Sequence, residues 1–186
     1  MYKLCTTEKS ANQQRIFTHT LLRLMGEMSY SEISVTELCQ RADLSRKTFY
    51  RLFGCKDDVL YALVDSYFHA YSAQPTSEPS IYGHMHRVFS FWKENRDLLD
   101  ALSKNQQSGL LIERQLAHIL REEPQALAEI GAADSPYQQE IMVFFLSALS
   151  GLLITWHHDG FRRSVEEMAN LCVALLTQPL LRGSTN

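Results

Sequence analysis

Cysteine is scarce and unpatterned in this chain. Cys5, Cys39, Cys55 and Cys172 form no CxxC pair and no metal-finger spacing, which excludes the usual zinc modules. Cys39 and Cys172 fall on apolar helical faces and read as small buried hydrophobes. Cys55 stands at a helix start, where it is either a redox thiol or, more plainly, an imperfect cap. No basic-then-apolar leader opens the sequence. The most hydrophobic run, residues 141–156, is broken by Ser147 and Ser150 and is short of the roughly 20 residues of a membrane span. A core helix, no membrane partner and a cytoplasmic protein are therefore expected. Strand patterns, repeats and low-complexity segments are absent too. So are a nucleophile with a positioned base, a phosphate-binding glycine loop and a carboxylate pair on one face. His84 and His86, like adjacent His157 and His158, would face different ways on a helix and make no chelate. No enzyme, no metal and no cofactor is expected.

With 45% apolar and 21% charged residues the composition is that of an ordinary soluble domain. Its net charge of −3 is unevenly spread: residues 1–60 hold nine Lys/Arg against seven Asp/Glu, and the remainder nine against fourteen. A mildly basic head on an acidic body suits DNA binding at one end, since affinity follows local phosphate contacts.

What is present is concentrated in residues 33–56, ISVTELCQRADLSRKTFYRLFGCK. Ser34 is a helix N-cap, Glu37 completes a capping box, and Ile33 with Leu38 forms a hydrophobic staple. After Arg41-Ala42 the pattern repeats, with Ser45 as cap and Leu44 and Phe49 as staple. Val35, Leu38, Cys39, Ala42, Leu44, Phe49, Leu52 and Phe53 face a small core, which leaves Arg46, Lys47, Thr48, Tyr50 and Arg51 outward. No acidic residue interrupts residues 45–56. An αα-hairpin has the same outline, but a solvated face normally mixes in acids. The pattern reads as a helix-turn-helix that offers its second helix to the major groove.

Residues 45–53, SRKTFYRLF, followed by Lys56-Asp57-Asp58-Val59-Leu60, resemble the DNA-binding signature of TetR/AcrR-type transcriptional regulators, roughly S-x-x-T-F-Y-x-x-F and then K-[ED]-x-L. A weaker similarity to one branch's ligand and dimerisation domain runs through Phe144-Phe145, Gly151, Trp156, Gly160, Ser164 and Glu167-Met168. Two positions depart from the pattern: Asp43 stands where the family usually has Gly, and Cys55 where the cap is usually Ser. The resemblance implies that Thr48, Tyr50 and Lys56 contact phosphates. Ser45, Ser34, Thr36 and Arg51 are counted with them as DNA contacts, and Arg46 and Lys47 as readers of base edges. It also implies a body pocket, for which Met85, Phe89, Trp92, Arg114, His118 and Phe144 are the candidates. Tyr82, Trp156 and His86 stand beside them. Each apolar one fits a plain core position equally well.

Helical periodicity covers nearly the whole chain. Ile16, Phe17, Leu21, Leu24, Met25 and Met28 mark a first helix that braces the motif from behind. A fourth, over residues 56–71, is long enough to pass from head to body, and residues 74–80 form a proline-containing loop. Body helices follow around residues 85–92, 98–102 and 110–120, with a break near Pro124 and a loop at 131–134. Ser135-Pro136-Tyr137-Gln138 predicts a capped start for a helix reaching Trp156, stopped by Gly160. Ser164 and Glu167 open a last helix that ends at Pro179, before a frayed tail at 182–186.

The expected architecture is all-α: a helix-turn-helix head over residues 1–55 and a helical regulatory and dimerisation body over 56–186. The helix of Phe144, Phe145, Ala148, Leu149, Gly151, Leu152, Leu153 and Trp156 is apolar nearly all round, so it is either wholly buried or shared with a partner. In the resembled family the last two helices pair with their symmetry mates, and small Ala148 and Gly151 permit close approach. The expected function is that of a homodimeric, sequence-specific transcriptional regulator, a repressor, on a near-palindromic double-stranded operator, with a small-molecule effector or partner acting on the body. Two rivals remain open. One is a co-regulator of the same fold working through protein–protein contact. The other is a small-molecule-binding protein with a degenerate head.

Overall fold

The computed structural model describes residues 2–3, 7–75, 80–122 and 135–177. The break near Pro124, the loop at 131–134, the stop at Pro179 and the tail lie outside them. The described residues fold as α1 (Glu8–Glu27), α2 (Val35–Arg41), α3 (Arg46–Leu52), α4 (Lys56–Ser72), α5 (Ile81–Glu94), α6 (Arg96–Lys104), α7 (Leu110–Glu122), α8 (Gln138–His158) and α9 (Val165–Thr177). They contain no strand, in keeping with the all-α expectation.

The head closes on three aromatic rings. Phe17 of α1, fully buried, meets Phe49 edge-on at 5.5 Å and Phe53 at 5.8 Å, and those two lie 5.5 Å apart. Each such burial contributes about 1.5–3 kcal/mol, with a further 0.5–1.5 kcal/mol from the ring geometry. Ile33 and Leu38, the staple of α2, are buried beside them.

Caps decide where these short helices begin and end. Ser45 Oγ accepts the Thr48 N–H at 3.1 Å and Ser34 Oγ accepts the Glu37 N–H at 3.0 Å. The expected box at Ser34 is only half made, because the Glu37 carboxylate turns to Arg41 at 3.3 Å instead. At the other end of α2, Asp43 takes a left-handed conformation (φ 51°). The Asp43 N–H then donates to Gln40 O and the Leu44 N–H to Cys39 O, the two bonds of a Schellman close. Asp in place of Gly therefore keeps the turn, at modest strain. At α4 the Cys55 thiol makes no capping bond. Buried Asp58, three residues on, accepts the Gly54 N–H at 2.8 Å and holds the start from inside.

The body is built around α4, which carries buried Leu63, Val64 and Phe68. Helix α7 packs on α4, α8 on α7, and α5 lies along α9. Phe68 meets Trp92 at 5.6 Å, and Phe89 meets Trp156 at 5.4 Å. Trp156 Nε1 donates to Arg163 O at 3.0 Å. Helix α1 joins the layers, touching α2 and α3 on one side and α4 and α6 on the other. Cys39 and Cys172 are buried, and burial pushes the Cys172 thiol up to about 11, so both act as hydrophobes.

One expected boundary shifts. Helix α8 starts at Gln138, three residues after Ser135, because Ser135 Oγ accepts the Tyr137 N–H at 3.1 Å and closes a separate turn first. The Ser164–Glu167 box at α9 is complete in both directions, at 2.6 and 3.2 Å.

Cys55→Ser is expected to raise the urea midpoint of the full chain, by a stability gain of about 0.5–1 kcal/mol, because it supplies the missing acceptor at a helix start. Asp58→Ala should lower it by about 1–3 kcal/mol, leaving a half-buried N–H without its acceptor.

Candidate nucleic-acid interface

Helix α3 is seven residues long and buries only Phe49 and Leu52. Ser45, Arg46, Lys47, Tyr50 and Arg51 are exposed, and Thr48 is half-buried. Arg46 and Lys47 stand in its first turn and make no ion pair among the described residues. Their positive charge therefore faces solvent uncompensated. Tyr50 is 48% exposed, with its ring held edge-on against Phe49 at 5.2 Å. Ser34 and Thr36 are exposed at the start of α2, and the Ser45 and Thr48 hydroxyls lie 3.0 Å apart at the start of α3. Short polar groups thus flank a cationic helix end, an arrangement able to meet phosphates while longer donors reach base edges.

Two of the predicted contacts are already engaged within the chain. Arg51 donates to the Gln13 side chain of α1. Lys56 is half-buried, with Nζ donating to Tyr30 O at 2.5 Å and Ile33 O at 2.7 Å and lying 4.2 Å from the Tyr30 ring centroid. Burial lowers the Lys56 pKa from the ordinary lysine value, against the opposing charge of Asp57. The ammonium has three donors, so two serve the loop between α1 and α2 and one remains for a phosphate.

Among the described residues, the six candidate pocket residues occupy different settings. Met85, Phe89 and Trp92 are core, packed under α9 and against Trp156, Phe68 and Phe91. Arg114 makes a two-pronged pair with the buried Asp65 carboxylate at 2.8 and 2.6 Å, which leaves its charge committed. The Tyr2 hydroxyl donates to the same carboxylate at 2.6 Å, and burial with Asp65's charge pushes that phenol far up. His118 is buried, with Nε2 at 3.1 Å from Ser72 Oγ and its ring stacked on Phe68. Phe144 is 71% exposed and lies on the outer face of α8, because α8 turns Met142, Leu146, Ser150 and Leu153 inward instead. Tyr82 and His86 are half-buried near α9, and His86 approaches Glu166 at 3.5 Å. Two clefts do exist. One of about 810 Å³ runs between α1, α2 and α6, and one of about 520 Å³ lies between α1, α4 and Tyr2. None of the six candidates lines either.

Gln13, Tyr30 and Asn105 shape this head and escaped the sequence reading, as did the capping role of Asp58, read there only as part of the signature. Asp58 had a visible signal, an acid at the third position of a helix with a poor cap. Gln13, 38 residues from the Arg51 it holds, had none.

Lys56→Met should lower the melting temperature, since two bonds from a charged donor are lost, a cost of about 1.5–3 kcal/mol each before relaxation. A variant as stable as the wild type would contradict the anchoring role.

No protein-family model and no curated protein matches the chain. Solved structures do. A TetR transcriptional regulator from Streptococcus agalactiae 2603V aligns with a TM-score of 0.66 at 20% identity, over 91% of this chain and 96% of that one. A TetR-family transcriptional regulator from Streptomyces coelicolor aligns at 0.58 and 20%, over 88% and 80%. The dihydroxyacetone kinase operon activator DhaS aligns at 0.57 and 17%, over 88% and 93%. From the helix-turn-helix head to the last body helix, the chain has the fold of the TetR-family transcriptional regulators.

Proposed function

We propose that this protein is a homodimeric, sequence-specific DNA-binding transcriptional regulator of the TetR type, and not an enzyme. The observation that carries this reading is α3, where Arg46, Lys47 and Tyr50 stand exposed on a packed head with no acid in the helix. A surface kept free of acids and backed by a rigid core has the properties of a phosphate-facing helix. Arg46 and Lys47 then read base edges, while Ser34, Thr36, Ser45, Thr48, Tyr50 and the remaining donor of Lys56 hold the backbone. Arg51 joins them on release from Gln13. The operator is near-palindromic double-stranded DNA, as two symmetric heads require.

Dimerisation rests on the outer face of α8. Phe144, Ala148, Gly151 and Thr155 are all exposed and recur at four-, three- and four-residue spacing, the seam of a helix pair. Leu171 and Leu176 of α9 are exposed as well. A side chain at Gly151 would meet nothing within 4 Å, so no contact inside the chain calls for glycine there. Mid-helix glycine costs about 0.5–1 kcal/mol relative to alanine, a cost that close approach of a second helix offsets. By length and composition alone α8 could also cross a membrane, with mean hydropathy 1.5 and 28% of its most apolar window buried. Its ties to the body favour the dimer: His157 lies 2.7 Å from Asp100, Ser150 donates to Gln115 at 3.2 Å, and Trp156 is buried. The chain then works in the cytoplasm beside its DNA. Repression is the proposed outcome, although DhaS, of the same fold, is named for activation. An effector on the body would act by changing the distance between heads, with a coupling of about 1–3 kcal/mol.

Selection from a random duplex pool by the purified protein tests the reading, and enrichment of a two-fold symmetric sequence is expected. Arg46→Ala or Lys47→Ala should cost about 1–3 kcal/mol on that sequence and relax preference at particular bases, while Tyr50→Phe weakens all sequences alike. Base preference unchanged by both Arg46→Ala and Lys47→Ala would mean the helix docks another way.

For the dimer, sedimentation of Gly151→Leu and Phe144→Arg should give folded monomers at micromolar concentration where the wild type is dimeric. Dimers of wild-type strength in both variants would place the interface elsewhere.

A further inference from the structure

Helix α6 closes with two backbone bonds. Gln106 takes the left-handed conformation (φ 57°), its N–H donates to Ser103 O at 3.1 Å, and the Gln107 N–H donates to Leu102 O at 2.8 Å. Those two bonds complete the terminus, so the side chain of the intervening Asn105 is largely free to reach across to the head. Its amide oxygen accepts the Tyr30 N–H at 2.6 Å, and its amide nitrogen donates to Met25 O at 3.1 Å and to Ala101 O at 2.8 Å. Neighbouring Lys104 donates to Gly26 O. The end of α1 and the turn that follows it are thus tied to the body through one residue and its neighbour.

The other side of the same turn is tied to α4. The Tyr30 carbonyl accepts from Lys56 Nζ, which also holds Ile33 O just ahead of the α2 cap, and the Tyr30 hydroxyl donates to Asp57 at 2.5 Å. The Tyr30 backbone is therefore gripped from both sides by the body, its N–H by Asn105 at the end of α6 and its carbonyl by Lys56 at the start of α4. Upstream on α6, Asp100 lies 2.7 Å from His157, and Ser103 lies 3.0 Å from His158, both at the end of α8. One helix of nine residues connects the end of α8 to the turn that carries α2.

We propose that Asn105 sets the angle at which the head is held on the body, as a positioning residue for operator binding that touches no DNA. The inference rests on the DNA-binding dimer proposed above. Asparagine suits the place because it offers an acceptor and two donors within a short reach. Alanine offers neither, and aspartate keeps only the acceptor for Tyr30.

The test uses the full-length protein and a duplex enriched by the wild type from a random pool, prepared with both half-sites or with one scrambled. A two-half-site duplex demands a set distance between the heads, and a single half-site does not. Asn105→Ala is expected to bind the two-half-site duplex about tenfold more weakly, within the usual range for coupling between sites. On the single half-site it should stay within about twofold of wild type. Asn105→Asp should recover part of the loss, and it carries the comparison alone if the alanine variant does not fold. Equal loss on both duplexes would make Asn105 a plain stability residue, and no loss on either would leave it without a role; both overturn the proposal. A wild-type protein that enriches no sequence overturns the DNA-binding reading itself, and the operator role of Asn105 with it.

Discussion

A seven-residue helix makes barely two turns and does not persist by itself in water. Both α2 and α3 are of that length, so the surface offered by α3 depends on the closure of Phe17 over Phe49 and Phe53. That contact also explains the length of α1. Its 20 residues carry Phe17, Leu21, Leu24 and Met25 along one stripe, so a single helix braces the head and continues onto the body. With the core on one side of α3, the cationic groups have only the opposite side to occupy. The chemistry of the exposed face follows from the packing of the buried one.

The same economy governs Lys56. A lysine at the start of a helix is poorly placed for the helix dipole, which favours anions there, and Asp57 and Asp58 answer it within the first turn. Two carbonyls of the α1–α2 turn take up its donors. Its charge thus does structural service within the chain, and any phosphate contact would add to a site already formed. Asp58 is bound in the same way, accepting backbone N–H groups that the Cys55 thiol does not reach. The junction of α3 and α4 is therefore held by charged groups turned inward, unlike α3 itself.

Most of the head was legible in the sequence because its signals are local. Caps at Ser34 and Ser45, staples at Ile33/Leu38 and Leu44/Phe49, and an acid-free run all act within a few residues of one another. The helix periods of the body were legible for the same reason. Side-chain destinations decided by tertiary contact were not. The pairing of Arg114 with Asp65 spans 49 residues and that of Asn105 with Tyr30 spans 75, and no spacing rule announces either. Arg114 stood among the candidates only for a pocket that the family resemblance implies, and its partner, the buried Asp65 of α4, could not be read from the sequence. The facing of Phe144 was hidden for a different reason. On a helix apolar nearly all round, periodicity cannot say which stripe faces inward, and only the burial of Met142, Leu146, Ser150 and Leu153 resolves it.

That ambiguity is itself informative about α8. A helix that packs on its own body with one stripe needs apolar residues on about half its circumference, and the rest is normally polar for solubility. Here the outer stripe carries Phe144 and Val143 exposed, alongside small Ala148 and Gly151. An exposed phenylalanine and a mid-helix glycine both cost stability or solubility in an isolated chain. A lipid environment would relieve the first without calling for the second, since bilayer chains gain nothing from a notch in the helix surface. A second helix, large side chains set into small ones, relieves both at once. The proposed partner surface is thus the arrangement under which each residue of the stripe has a physical reason to be there.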